Sequence, residues 1–285
     1  MTEAGLEQDR SPLYEAEHAP RYERQRLIRA YQQEYNCRLV VLIDALFPAS
    51  ITLFEETLFD ADPSQDLHIL LATPGGDGET AIRLVRQAQS RCKELTVVVP
   101  DQAKSAGTLL AVGAHHILMG PTSDLGPVDP QFLLPDGSLA PGKAIIAAVD
   151  EAERRIQENP ETYPLHASLL SDVSALMVQQ ARSALARASD QLREALECQP
   201  DRPPEDVQRL VSGLEDPLIG NPQSHQAIIS AGVARDTGLP VEEADPSGAQ
   251  WRVIWQLWTK YAMLGALGMP SSVRIYEGQT ASRIL

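Results

Sequence analysis

"LTVVVPDQAKSAGTLLAVGAHHILM", residues 95–119, carries the reading that decides the fold. Its first five residues are apolar and mostly β-branched, which predicts a buried strand over 95–99. The short run "HILM", 116–119, predicts a second strand, and residues 105–114 between them read as a helix. Ser105 stands where extended chain turns into that helix. A helix N-terminus offers free backbone N–H groups and the positive end of the helix dipole, so a serine there is either an N-cap or a nucleophile.

Two more apolar runs lie upstream, "RLVVLI" (38–43) and "LHILLA" (67–72), and "TAIRLVRQAQSRC" (80–92) follows them with near-helical apolar spacing. Strands that alternate with helices at this interval predict βα repeats and a mostly parallel sheet. Residues 21–36 read as a helix leading into this core, and 1–20 as a polar, poorly ordered N-terminal segment. Residues 120–142 are rich in Gly and Pro and read as loop or short strands. Helical patterns follow over 143–159, over 165–197 as one helix or two, and over 203–213, with Gly213 as its C-cap. Residues 224–241 read as a helix, a glycine stop and a short extended segment. In "WRVIWQLWTKYAML" (251–264), Trp251, Trp255, Trp258 and Ala262 share one helical face, which predicts core or interface packing. The expected organisation is therefore a main domain over 21–245 and a C-terminal helix and tail over 246–285 used for packing or oligomerisation.

Composition narrows the function. The formal charge of −15 argues against nucleic-acid and anionic-membrane partners, both of which need basic surface. Cys37, Cys92 and Cys198 show neither zinc spacing nor a disulfide framework, which reads as free thiols in a reducing compartment. The charged N-terminus is unlike a signal peptide, and no uninterrupted apolar stretch of about 18 residues is present, so a cytoplasmic chain without an integral membrane segment is expected.

"ATPGGDGETA" (72–81) admits two readings. Gly76, Gly78 and Ala81 fit a dinucleotide fingerprint, with Asp101 20 residues further on as the ribose ligand. Against it, Pro74 and the paired glycines open that turn unusually, and a strand already precedes it. Alternatively, Gly75 and Gly76 form half of an oxyanion hole, Ser105 is the nucleophile, and the Ala106 N–H is the second donor, with Gly107 keeping the space open. Successive βα turns of a parallel sheet lie side by side, so Gly76 and Ser105 can share one cleft.

"ATPGGDGETAIRLVRQ" together with "KSAGTLLAVGAHHILMGPTSDLGPVDPQ" resembles the serine dehydrogenase proteinase family of the Clp protease/crotonase-like superfamily, related to signal peptide peptidase A, over about residues 38–240. The resemblance implies an α/β fold built as a spiral of ββα units, here with additional C-terminal helices. It implies a serine peptidase that cleaves peptides or unfolded protein segments, without metal or cofactor, as a homo-oligomer. It assigns Ser105 as nucleophile and Gly76 and Ala106 as oxyanion donors. The alternatives are a non-proteolytic crotonase-like assembly protein and the dinucleotide-binding enzyme.

A serine hydroxyl needs a general base within about 3 Å. His115 lies about 15 Å along the helix from Ser105, which excludes it. Lys104 is an immediate neighbour and faces elsewhere. Lys143, at an apolar helix start 38 residues downstream, is the expected base, as related peptidases pair their serine with a downstream lysine. Burial beside Ala144, Ile145 and Ile146 would lower its pKa toward the working range. His225 is the other candidate base, and Asp129, between two prolines, reads as a turn residue.

Overall fold

The structure, a computed structural model, describes residues 11–135, 137–220, 227–266 and 273–285. Helix α1 (Pro12–Tyr35) begins nine residues before the expected start at 21, because Ser11 caps it and Pro12 occupies its first turn. Residues 12–20 of the segment expected to be poorly ordered are thus helical, and residues 1–10 lie outside the described residues. Then come β1 (Cys37–Ile43), α2 (Pro48–Leu58), β2 (Asp66–Ala72), α3 (Gly78–Gln89) and β3 (Leu95–Val99). The two-residue β4 (Gln102–Ala103) leads into α4 (Ala106–Val112), and β5 (His116–Met119) and β6 (Asp124–Leu125) follow. The Gly/Pro-rich stretch also forms a hairpin of β7 (Gln131–Leu133) and β8 (Leu139–Pro141). Helices α5 (Gly142–Glu158), α6 (Tyr163–Leu169) and α7 (Ala175–Glu197) come next. The 165–197 pattern is therefore two helices, separated where Ser174 Oγ accepts the Met177 N–H at 3.1 Å. Helix α8 (Pro204–Glu215) passes through Gly213, which is not a C-cap: buried Leu210, Val211 and Leu214 carry the apolar face beyond it. The chain ends with α9 (Ala231–Asp236), β9 (Val241–Glu243), α10 (Ala249–Tyr261), β10 (Ile275–Glu277) and β11 (Ser282–Ile284).

The main sheet runs β11-β10-β1-β2-β3-β5-β9, and its five strands from β1 to β9 are parallel. Alternate residues of each central strand feed opposite cores. Val40, Leu42, Ile69, Leu71, Val97 and Val99 pack under α2, α3, α4, α7 and α8, whereas Leu39, Val41, Leu70 and Val98 pack under α1 and α10. Buried on both faces, these strands read as continuous apolar runs. The tail set apart as 246–285 supplies α10 on one face and β10 antiparallel to β1, so it is an integral part of the sheet. Trp251 and Trp258 are buried there, while Trp255 remains 46% exposed.

Beyond their C-terminal ends the strands continue into a second, minimal layer. Leu46 bridges Gly76, Thr73 bridges Ala103, and β4 pairs with β6, all in parallel. β3, β4 and α4 form one ββα unit, and β1 and β2 each lead through a bridge residue, Leu46 or Thr73, into a helix, the arrangement of a ClpP-like α/β fold.

One polar chain crosses the α1 face. Gln250 Nε2 donates to Tyr31 Oη at 2.8 Å, so the Tyr31 proton is directed at His68 Nδ1, also at 2.8 Å. Burial pushes the His68 imidazole down to about 4. The folded protein therefore holds this ring neutral, whereas the unfolded chain protonates it near 6.5. Its contribution is complete above pH 6.5 and is lost as pH falls toward 4. Stability is expected to fall by about 3 kcal/mol through this group over that window. Urea unfolding at pH 7 and pH 4 checks this: His68→Gln must show the smaller pH dependence.

Candidate active site

Ser105 lies two residues beyond β4 and occupies the N-cap position of α4, yet its side chain makes no capping hydrogen bond. Its backbone has φ 49° and ψ −114°. A non-glycine residue in such a region costs on the order of 1–3 kcal/mol and persists only where its surroundings impose it. The capping explanation of this serine therefore fails, and an uncapped, strained hydroxyl at a helix start remains.

The glycine turn lies directly against it. A Cβ on Gly75 would come within 2.7 Å of Ser105 Cβ and 3.4 Å of Ser105 Oγ, and Gly75 has φ +108°. At Gly76, with φ +140°, a Cβ would meet Leu46 O at 2.2 Å. Leu46 donates to Gly75 O at 2.8 Å and accepts from the Asp77 N–H at 2.7 Å. These bonds straddle Gly76 and leave its own N–H out of the pairing. Ala106 is the first residue of α4, where an amide has no partner inside the helix. The sequence expected Gly107 to keep the site open. Instead it is required for packing, since a Cβ there would meet Thr73 Cγ2 at 2.3 Å.

Ser105, Ala106 and Gly76 line one cleft of about 470 Å³, whereas Gly75, also expected in the oxyanion hole, is outside this lining because its N–H donates to Thr73 Oγ1 at 3.0 Å. Val128, Asp129 and Pro130 form one wall, and Arg187 and Gln191 of α7 form part of another. Asp129 is thus more than a turn residue: it is 1% exposed and accepts from Gln131 Nε2 at 2.8 Å. Arg187 is bidentate to Glu79 at 2.7 and 2.8 Å, which ties α7 to the start of α3 beside the cleft. Sequence reading missed Arg187 and Gln191. They sit more than 80 residues from Ser105 in a helix whose local pattern shows only amphipathicity.

Other expected partners are elsewhere. Lys143 lines a separate cavity with Leu185, Ser189, Glu215 and Asp216, on the side of α7 away from Ala184, Ala188 and Gln191 of the Ser105 cleft. A chain position at the start of α5 does not reveal which side of α7 the residue takes. His115 Nδ1 accepts the Leu95 N–H at 3.0 Å, and His116 pairs with Glu94, so neither serves the cleft. His225 lies outside the described residues. Asp101 does not line the cleft that holds Gly76 and Gly78, which removes the ribose ligand from the dinucleotide arrangement. Burial raises the Asp101 and Asp124 carboxyls, the former further through Asp124, while Lys104 draws both back. Burial also pushes the Cys37 and Cys92 thiols up to about 12 and raises Cys198, which disfavours the thiolate at all three.

Residues 58–196 match the family of ClpP-like SDH-type serine proteinases. Every residue lining the Ser105 cleft lies within this segment. The chain is also similar to two proteins of Methanocaldococcus jannaschii. Uncharacterized protein MJ0137 is 33% identical over 91 residues, which cover 32% of this chain and 30% of the relative. Uncharacterized protein MJ1495 is 26% identical over 123 residues, covering 38% and 42%. The chain thus spans less than half the length of either curated relative. Among solved structures, it is similar to a mutant of the 1510-N membrane-bound stomatin-specific protease at 24% identity, covering 42% of this chain and 61% of that one, with a TM-score of 0.32. Among the described residues, the segment and its flanks include no helix long and apolar enough to cross a membrane and no His/Cys/Asp/Glu group able to hold a metal ion.

Proposed function

We propose that this chain is a serine peptidase with Ser105 as its nucleophile. The observation that carries the reading is the strained, uncapped Ser105 set against the Gly75–Gly76 turn in a cleft of the serine-proteinase-like segment. Ser105 Oγ attacks the scissile carbonyl carbon and loses its proton to a base. The negative charge that develops on the carbonyl oxygen is held by the Gly76 and Ala106 N–H groups, both outside the backbone pairing. Collapse breaks the C–N bond, the leaving amine takes a proton, and water then hydrolyses the acyl-serine. The lack of Asp101 in the cleft favours this over the dinucleotide reading. Peptides or unfolded segments are the proposed substrates. Exposed Leu133 and Leu139 of the β7–β8 hairpin, with Tyr163, Leu165 and Leu169 of α6, support a homo-oligomer, which sedimentation velocity would detect.

Incubation with a fluorophosphonate followed by peptide mass spectrometry tests the nucleophile. The adduct is expected on Ser105, and an adduct on another serine or none at all refutes the reading. The same assay addresses the base. Because Lys143 lines the cavity across α7, Lys143→Met is expected to keep the acylation rate within about threefold of wild type. A loss of about 100-fold or more, in a folded variant, would return the ammonium to Ser105 and restore the Ser-Lys dyad expected from the sequence.

A further inference from the structure

We infer that the Lys104–Asp124 ion pair is a positioning device that imposes the strained backbone of Ser105; this rests on the reading of Ser105 as nucleophile. Ser105 has no capping bond of its own, so the strain must be held by its neighbours. Lys104 turns its side chain away from the cleft and inserts it beneath the second strand layer. Its Nζ lies 2.6 Å from Asp124 Oδ2, 3.4 Å from Ala227 O and 3.5 Å from Leu125 O. The two side chains are only 13% and 14% exposed. The lysine stem packs closely on Gly126, where a Cβ would meet Lys104 Cδ at 2.3 Å and displace the stem from its present path. The Lys104 backbone is held as well: its N–H donates to Thr73 O at 3.0 Å, and its carbonyl accepts from the Gly107 N–H at 2.7 Å.

The residues on the other side of Ser105 hang on the same segment. Thr108 Oγ1 lies 2.9 Å from Ala103 O and 2.7 Å from Gly126 O, and it accepts the Gly126 N–H at 3.0 Å. Residues 103–104 and 108 are therefore both fastened to Asp124–Gly126, with the serine between them. That segment continues into Val128, Asp129 and Pro130, which wall the cleft. Nucleophile and wall thus share one anchor.

Stability alone does not account for a lysine and an aspartate here. A buried ion pair can often be replaced by apolar residues at no net cost. This pair also leaves Asp124 Oδ1 buried without a hydrogen-bond partner. What a short, directional N–H···O contact offers over an apolar pair is a fixed position for the chain that carries it. Small displacements at a nucleophile are expensive, about 100-fold in rate for about 1 Å.

The test uses Lys104→Met, Asp124→Asn, their combination and Lys104→Arg, with the folded fraction at assay temperature measured by circular dichroism. The readouts are the rate constant for fluorophosphonate acylation of Ser105 and kcat and KM on a peptide substrate. Each single loss variant is expected to acylate about 10- to 100-fold more slowly with KM within about threefold of wild type. The combination should be no slower than the worse single, and Lys104→Arg should recover to within about fivefold. If Lys104→Met does not fold, Asp124→Asn, which keeps the side-chain shape, carries the comparison. Folded variants that acylate within twofold of wild type, or losses that multiply in the combination, overturn the positioning role. A wild-type chain that takes no label contradicts the Ser105 reading instead.

Discussion

Ser105→Ala is expected to abolish fluorophosphonate labelling and to lower peptide hydrolysis by about 10⁴- to 10⁶-fold, the loss characteristic of removing a catalytic serine. The fold should survive this change. The Ser105 side chain makes no capping bond, and the adjacent contacts run through Lys104, Thr108 and the backbone. Ser105→Gly provides the sharper contrast. Glycine accepts φ 49° and ψ −114° without steric penalty, so this variant is expected to be as inactive as Ser105→Ala yet more stable by about 1 kcal/mol in urea unfolding. A gain in stability paired with a loss of activity is the signature of strain maintained for function. Retention of more than about a tenth of wild-type hydrolysis in folded Ser105→Ala protein would place the nucleophile elsewhere.

The second large effect belongs to the far side of the sheet. Arg24→Met is expected to cost about 3–5 kcal/mol of unfolding free energy, read from the denaturant midpoint. Arg24 Nε donates to Glu277 Oε2 at 2.7 Å and Nη2 donates to Oε1 at 3.1 Å, while Tyr261 Oη donates to Oε2 at 2.7 Å. Arg24 is 3% exposed and Glu277 is fully buried. Burial alone would lower the Arg24 guanidinium, but the Glu277 carboxylate outweighs it and the net direction is up. Burial, reinforced by Glu277, likewise raises the Tyr261 phenol. Removing the cation leaves a carboxylate in the core with Tyr261 as its remaining side-chain donor. It also detaches α1 from β10, a junction to which Arg21, Gln25 and Arg29 add bonds to the 278–280 carbonyls. The control is Arg24→Met with Glu277→Leu. Because the cost lies mainly in the orphaned charge, the double variant should recover to within about 2 kcal/mol of wild type. A single-variant cost below about 1 kcal/mol would show that α1 is held by its apolar contacts instead.

The sequence by itself determined the local elements and the meeting of two turns. Strands β1, β2, β3 and β5 were legible within a residue because a parallel strand buried on both faces has to be apolar throughout. Consecutive βα turns emerge at one sheet edge, so a shared cleft for Gly76 and Ser105 followed from strand order and spacing. What only the tertiary structure decided depends on elements distant in the chain. Helix α1 and helix α10 cover one sheet face together, and β10 pairs with β1 more than 230 residues away. Helix α7 presents Arg187 and Gln191 to the Ser105 cleft and leaves Lys143 on its other side. Local pattern encodes how a segment folds and which of its faces is apolar. Which partner that face meets, and whether a charged residue at a helix start reaches one cavity or the next, is set by the simultaneous packing of all the layers.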